Sequence, residues 1–246
     1  MKNSLKKYIV LVAIIIFSLF VYKLPVSNDS NLKNEQVVIA EKEELTTDTN
    51  GEINKETNSK NSIITLRNNY QNNDIIAILK IENTDLESIV VKTTDNDYYL
   101  THNLKKETSK IGTTFMDYRN LSTDRKILIY GHNSKTLKTE FHILENFLDN
   151  SFYRNHSKII LEMENETYEY QIFSILVVTT DYQHMKLNFT DEEWHNHLSY
   201  LKENSVYDTN TEVLDTDDII ILQTCYYQPD NSYILLAGKK IKTVRN

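Results

Sequence analysis

Two apolar runs in this chain each end in a residue able to do acyl chemistry. Asp217 and Asp218 lead into Ile219-Ile220-Ile221-Leu222-Gln223-Thr224, which delivers Cys225, and Lys126 to Tyr130 leads through Gly131 to His132. Cys225 is the only cysteine, so it has no disulfide partner within the chain and is either an inert buried thiol or a reactive one. Burial is the commoner fate of a free cysteine. A histidine at the end of a second strand shifts that balance, because an imidazole supports a thiolate and can carry the protons of acyl transfer.

Both runs are short and rich in β-branched residues, which favours buried strands over helices. The rest of the chain supplies similar elements. A helix is expected over Ile63 to Tyr70, then strands over Ile75 to Ile81, Ser88 to Lys92, Ile111 to Met116 and Lys126 to Tyr130. Phe141, Leu144, Phe147 and Leu148 give Thr139 to Asn150 a helical spacing. Lys158 to Met163 and Thr167 to Val178 read as a hairpin around Glu164-Asn165-Glu166. Asp191 to Glu203 reads as a helix with a capping box from Thr190 and Glu193 and an apolar stripe of Trp194, Leu198 and Leu201. Ile219 to Thr224 and Tyr233 to Ile241 are the last strands. About eight strands with few helices predict a mainly β, closed or nearly closed barrel.

The 246 residues suffice for one domain with extensions, and 27 basic against 35 acidic residues give a formal net charge of -8. That balance argues against nucleic acid as a partner, since such binding rests on neutralising phosphates. His195 and His197 stand two apart on the expected helix and point in different directions, so they do not form a metal pair. His102, His142, His156 and His184 fall in polar or loop contexts and read most simply as surface residues. No cofactor and no catalytic metal is expected.

The N-terminus differs in kind. Lys2, Lys6 and Lys7 precede an uncharged run from Tyr8 to Tyr22, closed by Lys23 and Pro25. Fifteen helical residues reach only about 22 Å, so spanning a bilayer requires help from Leu24 and the flanking lysines. A cleaved signal peptide is the alternative, but no small-x-small site follows Tyr22. Residues 1–24 are therefore expected to be an uncleaved membrane anchor with the N-terminus cytoplasmic and the remainder extracellular. Residues 25–61, rich in Asn, Lys, Glu, Thr and Ser, read as a polar spacer with a marginal helix over Asn34 to Leu45, and 62–246 as the catalytic domain.

Leu222-Gln223-Thr224-Cys225 resembles the Leu-x-Thr-Cys end of the sortase signature, and Tyr130-Gly131-His132-Asn133 resembles the segment carrying the sortase histidine. Ser109 to Asn120 and Tyr98-Tyr99-Leu100-x-x-Asn103 are similar to class B sortases, membrane-anchored cysteine transpeptidases of Gram-positive bacteria. The likeness runs from about Asn73 to Lys242 with the elements in family order. It implies an eight-stranded sortase-type barrel with a few peripheral helices, one of them N-terminal and one between the sixth and seventh strands. It also implies a mechanism in which Cys225 attacks the carbonyl after a Thr in a C-terminal sorting signal and forms a thioester. A peptidoglycan amine then resolves the thioester, with His132 as general acid and base. Secreted proteins bearing that signal and a cell-wall precursor amine are the partners implied. Asn103, Tyr130, Thr180, His184, Met185, Gln223 and Thr224 fall where the family holds its substrate.

In one position the chain departs from the family. Sortases carry an arginine on the strand after the cysteine, yet the five arginines here are Arg67, Arg119, Arg125, Arg154 and Arg245. Aligning Ile234-Leu235-Leu236-Ala237-Gly238-Lys239 puts Tyr233 in that place, or Ser232 if the loop shifts by one. A phenol offers one neutral donor where a guanidinium offers a charged fork, so partial substitution by Tyr233 predicts a slow enzyme. An ordinary half-buried aromatic is the plainer reading of Tyr233. Two other functions stay open at this point: a secreted thiol protease that gives its thioester to water, and a degenerate sortase that binds sorting signals with little turnover.

Overall fold

Strands dominate where β-branched and aromatic residues alternate with polar ones. The computed structural model describes residues 58–179 and 182–246. Helix α1 (Asn58–Tyr70) leads into β1 (Ile75–Ile81), β2 (Glu87–Val91), β3 (Phe115–Met116) and β4 (Lys126–Tyr130). A 3-10 segment over Glu140–Leu148 and the short α2 (Asn150–Tyr153) precede the hairpin of β5 (Lys158–Met163) and β6 (Glu166–Val178). Helix α3 (Asp191–Glu203) separates β6 from β7 (Ile219–Tyr226), and β8 (Ser232–Arg245) ends the fold.

The strands close into a barrel in the order β1-β2-β3-β4-β7-β8-β6-β5, with β5 returning to β1. Most neighbours are antiparallel, whereas β2–β3 and β4–β7 are parallel. The β4–β7 pairing needs a long crossover, and β5, β6 and α3 provide it. Alternation divides the apolar residues into two cores. Ala77, Leu79, Ile127, Ile129, Leu161, Ile220, Leu222 and Leu236 fill the barrel. Leu128, Tyr130, Ile219, Ile221, Leu235 and Ala237 face outward and are covered by Trp194, Leu198 and Leu201 of α3. The expected capping box is present: Thr190 Oγ1 accepts from Glu193 N at 3.3 Å and Thr190 N donates to Glu193 Oε2 at 2.9 Å.

Several boundaries differ from the sequence expectation. Helix α1 takes in Asn58 to Asn61, assigned to the spacer, because its polar first turn carries no apolar signal. Of Ile111 to Met116 only Phe115 and Met116 pair, since Gly112 has φ +65° and Thr113 N donates to Tyr99 O instead of a strand. Thr139 to Asn150 winds as a 3-10 segment rather than an α-helix, and the extended backbone of Asp149 breaks it from α2. Strand β7 continues through Cys225 to Tyr226, so the thiol lies within the ladder and not beyond it. The N-terminal anchor, the Asn34 to Leu45 helix and Thr180 lie outside the described residues. No helix among the described residues is long and apolar enough to cross a membrane.

Candidate active site

The parallel register of β4 and β7 sets Tyr130 beside Gln223 and brings His132 and Cys225 to the same end of the pair. Four hydrogen bonds lock that end. Gly131 N donates to Gln223 O at 3.1 Å and Thr224 Oγ1 to Gly131 O at 2.7 Å. Asn133 Nδ2 donates to Cys225 O at 3.0 Å, and Tyr227 OH to Asn133 O at 2.9 Å. A side chain at Gly131 is disfavoured because a Cβ would come within 2.6 Å of Phe141 Cδ1 and Cδ2.

Cys225 is exposed, yet loss of water around the sulfur raises its thiol pKa. At neutral pH the sulfur is therefore mostly a thiol, and a proton acceptor is needed to use it. His132 Nε2 lies 2.8 Å from Leu100 O. A carbonyl only accepts, so Nε2 carries the proton and a neutral ring keeps Nδ1 as its basic atom. Gly112 packs on the same ring, and a Cβ there would lie 2.7 Å from His132 Cδ2. Among the described residues, the imidazole is held by this carbonyl rather than by the thiol.

Tyr233 pairs directly with Cys225 across β7 and β8, which puts both side chains on one face at about 5 Å between Cβ atoms. Ser232 is buried, and its hydroxyl donates to Pro229 O at 2.6 Å and lies 3.2 Å from Tyr226 O. Of the two residues aligned with the family arginine, Tyr233 is the one beside the thiol. Arg119 is engaged elsewhere: its guanidinium donates to Asp117 at 2.8 and 2.7 Å and to Met185 O at 3.0 Å.

Gln223, two residues before Cys225, shares the outer face and meets His184 Nε2 at 2.9 Å through its Oε1. His184 is 1% exposed, which corrects its reading as a surface histidine: the bond to Gln223 draws the ring under the β6–β7 connection. Met185 packs on the outer core. Tyr130 donates its hydroxyl to Asp117 Oδ2 at 2.8 Å, so its phenol is committed within the wall. Thr224 faces Gly131 O, away from the outer face. Asn103 is engaged in its own turn, accepting from Lys105 N and Glu107 N and donating to Glu107 Oε2, all at 3.0 Å.

Sequence reasoning passed over several supports. Asn133 is 3% exposed and ties the histidine segment to the cysteine strand; its place directly after His132 was the signal. Asp117 receives Arg119, Tyr130 and Asn96 together. Burial would raise its carboxyl, but hydrogen bonds from Arg119 hold it at about 2. Lys126 and His197 lie beneath the β6–β7 connection with their polar atoms 3.0 Å apart.

Comparison with known proteins agrees with this arrangement. The sortase domain family matches residues 79–239. Sortase B of Listeria monocytogenes is 31% identical over 250 residues, covering 98% of this chain and 98% of that protein. A mutant form of Clostridium perfringens sortase B superposes with a TM-score of 0.69 at 28% identity, covering 74% of this chain and 87% of that one. The Staphylococcus aureus sortase B–substrate complex superposes with a TM-score of 0.68 at 28% identity, covering 74% and 86%.

Proposed function

The chain belongs to the sortase family as a class B cysteine transpeptidase, and from that premise we propose that Cys225 and His132 perform the chemistry with Tyr233 beside them. Cys225 Sγ attacks the carbonyl carbon after a Thr in the sorting signal, its proton leaving to His132. The tetrahedral centre collapses as the C–N bond breaks, and His132 returns the proton to the departing amine. A peptidoglycan amine then attacks the thioester, gives its proton to His132, and expels the thiolate, which is reprotonated. The observation carrying this reading is the four-bond lock that brings the His132 and Cys225 segments to one strand end.

Tyr233 stands in for the arginine as a single neutral donor to the developing oxyanion or the peptide. Its place across from Cys225 in the β7–β8 register supports this. A neutral donor stabilises an oxyanion less than a charged one, so turnover is slow. Gln223, His184, Met185 and Thr180 border the peptide, with Tyr130 and Thr224 shaping the groove from within its wall. Asn103 contributes by ordering the turn it belongs to.

Residues 1–24 anchor the enzyme in the membrane as a single pass, and residues 25–61 space the catalytic domain from the outer surface. The lysines ahead of the Tyr8 to Tyr22 run support that orientation. Proteins carrying sorting signals and a cell-wall amine are the two substrates.

The deciding experiment incubates the full chain with fluorogenic sorting-signal peptides, with and without an amine acceptor, beside Cys225→Ala. Cysteine-dependent cleavage yielding an amine-linked product is expected, with Tyr233→Phe lowering kcat up to about tenfold, the worth of one neutral hydrogen bond. Cleavage indifferent to the amine would instead identify a thiol protease. Peptide binding without cleavage would identify a degenerate binding module.

A further inference from the structure

Lys126 opens β4 at the end of the β4–β7 pair remote from the chemistry, opposite Ile219. A charged first residue of a strand normally reaches solvent, but Lys126 is 1% exposed. Its Nζ donates to His184 O at 2.6 Å and to Lys186 O at 2.8 Å, and lies 3.0 Å from His197 Nε2. Phe189 covers it at 5.1 Å. None of these partners is a carboxylate, so among the described residues Lys126 Nζ has no counter-charge in contact. Burial, and then the charge of Arg119, push its pKa well below the ordinary value, partly offset by Asp117. The same site holds His197 at about 3, through burial and then Lys126, so His197 is neutral.

Stability alone does not account for such a group. A buried ion commonly costs more than its partners return, and an apolar side chain of similar volume often does as well. What an apolar side chain could not do is hold His184 O and Lys186 O. These carbonyls belong to residues 182–190, a 3-10 turn followed by irregular chain with no strand partner. Arg119 takes the carbonyl between them, Met185 O, at 3.0 Å. Three successive carbonyls are thus held by the side-chain nitrogens of Lys126 and Arg119, both rooted in the barrel wall. His184 joins both ends of the arrangement, since its carbonyl binds Lys126 while its ring meets Gln223, two residues from the nucleophile.

We propose that Lys126 is a positioning residue for the sorting-signal peptide: its buried Nζ holds the His184–Lys186 backbone so that His184 and Met185 stay against the floor beside Cys225. This rests on the reading that the β6–β7 connection borders the peptide. Lys126 does not touch the reacting atoms, and its removal acts on binding rather than on the thiol.

The test is Lys126→Met in the full chain, with three readouts. Peptide KM is expected to rise about tenfold with kcat within about threefold of wild type, the pattern of lost uniform binding. Iodoacetamide alkylation of Cys225 should stay within about twofold, because the Cys225–His132 end is untouched. Trp194, the only tryptophan, is fully buried with Phe189 at 5.3 Å, so release of the segment should red-shift its emission and increase acrylamide quenching. A folded variant with unchanged KM and unchanged Trp194 emission overturns the proposal. So does a fall in kcat matched by slower alkylation, which would assign Lys126 to the thiol. If Lys126→Met does not fold, Lys126→Gln, which keeps one donor for a carbonyl, is expected to shift KM and emission in the same directions by less, and no shift overturns the proposal. If wild type turns over no sorting peptide, the transpeptidase reading has failed, while Trp194 still reports whether Lys126 holds the segment.

Discussion

At one end of the β4–β7 pair, Gly131, Thr224, Asn133 and Tyr227 join the strands through four hydrogen bonds, every acceptor a main-chain carbonyl of the opposing or adjoining segment. At the other side of the same sheet, the buried Nζ of Lys126 and the guanidinium of Arg119 hold the β6–β7 connection. The first arrangement extends a strand ladder, so the reacting residues are fixed by neutral groups and close steric fit. The second grips an irregular segment that has no ladder, so it depends on the side-chain nitrogens of Lys126 and Arg119 and on the carboxylate of Asp117 that anchors the guanidinium.

Gly131→Ala should break the reacting end most severely. The new Cβ would come within 2.6 Å of the Phe141 ring, which is itself fully buried, so the His132 segment is expected to shift. Displacements of about 1 Å at a reacting group cost on the order of a hundredfold, so kcat/KM is expected to fall at least that far. KM for the peptide should change little, since the β6–β7 connection keeps its own anchors. A Gly131→Ala enzyme with kcat near wild type would refute the steric account of this end.

Asp117→Asn tests the charged side. The Asp117 side chain is fully buried, and its carboxyl is lowered from 3.8 to about 2 because Arg119 outweighs the effect of burial. A depressed carboxyl stabilises the fold above its unfolded pKa, and that contribution disappears as pH falls from about 4 through about 2. At pH 7 it amounts to about 2 kcal/mol. Urea unfolding should therefore show Asp117→Asn less stable by roughly that amount at pH 7, with the gap narrowing as pH drops below about 4. A gap that stays constant with pH would remove the ion pair as its cause.

Much of the reacting end was legible because it is strand-borne. β-Branched runs announce β4 and β7, glycine marks the turn, and Cys225 and His132 stand in motifs that fix their order. The sequence alignment leaves Tyr233 or Ser232 at the place of the family arginine; the β7–β8 register pairs Tyr233 with Cys225, while the Ser232 hydroxyl is bonded into its loop. The charged side was nearly invisible. Lys126 looks like an ordinary strand-opening lysine, and its partners are main-chain carbonyls supplied after two further strands, which no side-chain pattern encodes. His184 was misread for the same reason: a histidine in a polar stretch becomes buried only because Gln223 rises to meet it. The strand expected over Ile111 to Met116 shrank because Gly112 turns there to make room for the His132 ring, a tertiary demand rather than a local one.

The smallest effect should come from Tyr227→Phe, which isolates one bond of the four. The phenol donates to Asn133 O at 2.9 Å, while the ring is covered by Lys135 Nζ at 4.5 Å, a contact that phenylalanine keeps. Loss of a single neutral hydrogen bond costs about 1 kcal/mol. The three remaining bonds still hold Gly131, Thr224 and Asn133 in register. Urea unfolding should show a loss of about 1 kcal/mol, with kcat lowered no more than about threefold. If kcat instead falls as far as in Gly131→Ala, the four bonds act as one cooperative unit, and the contrast with the graded, charge-held side becomes sharper still.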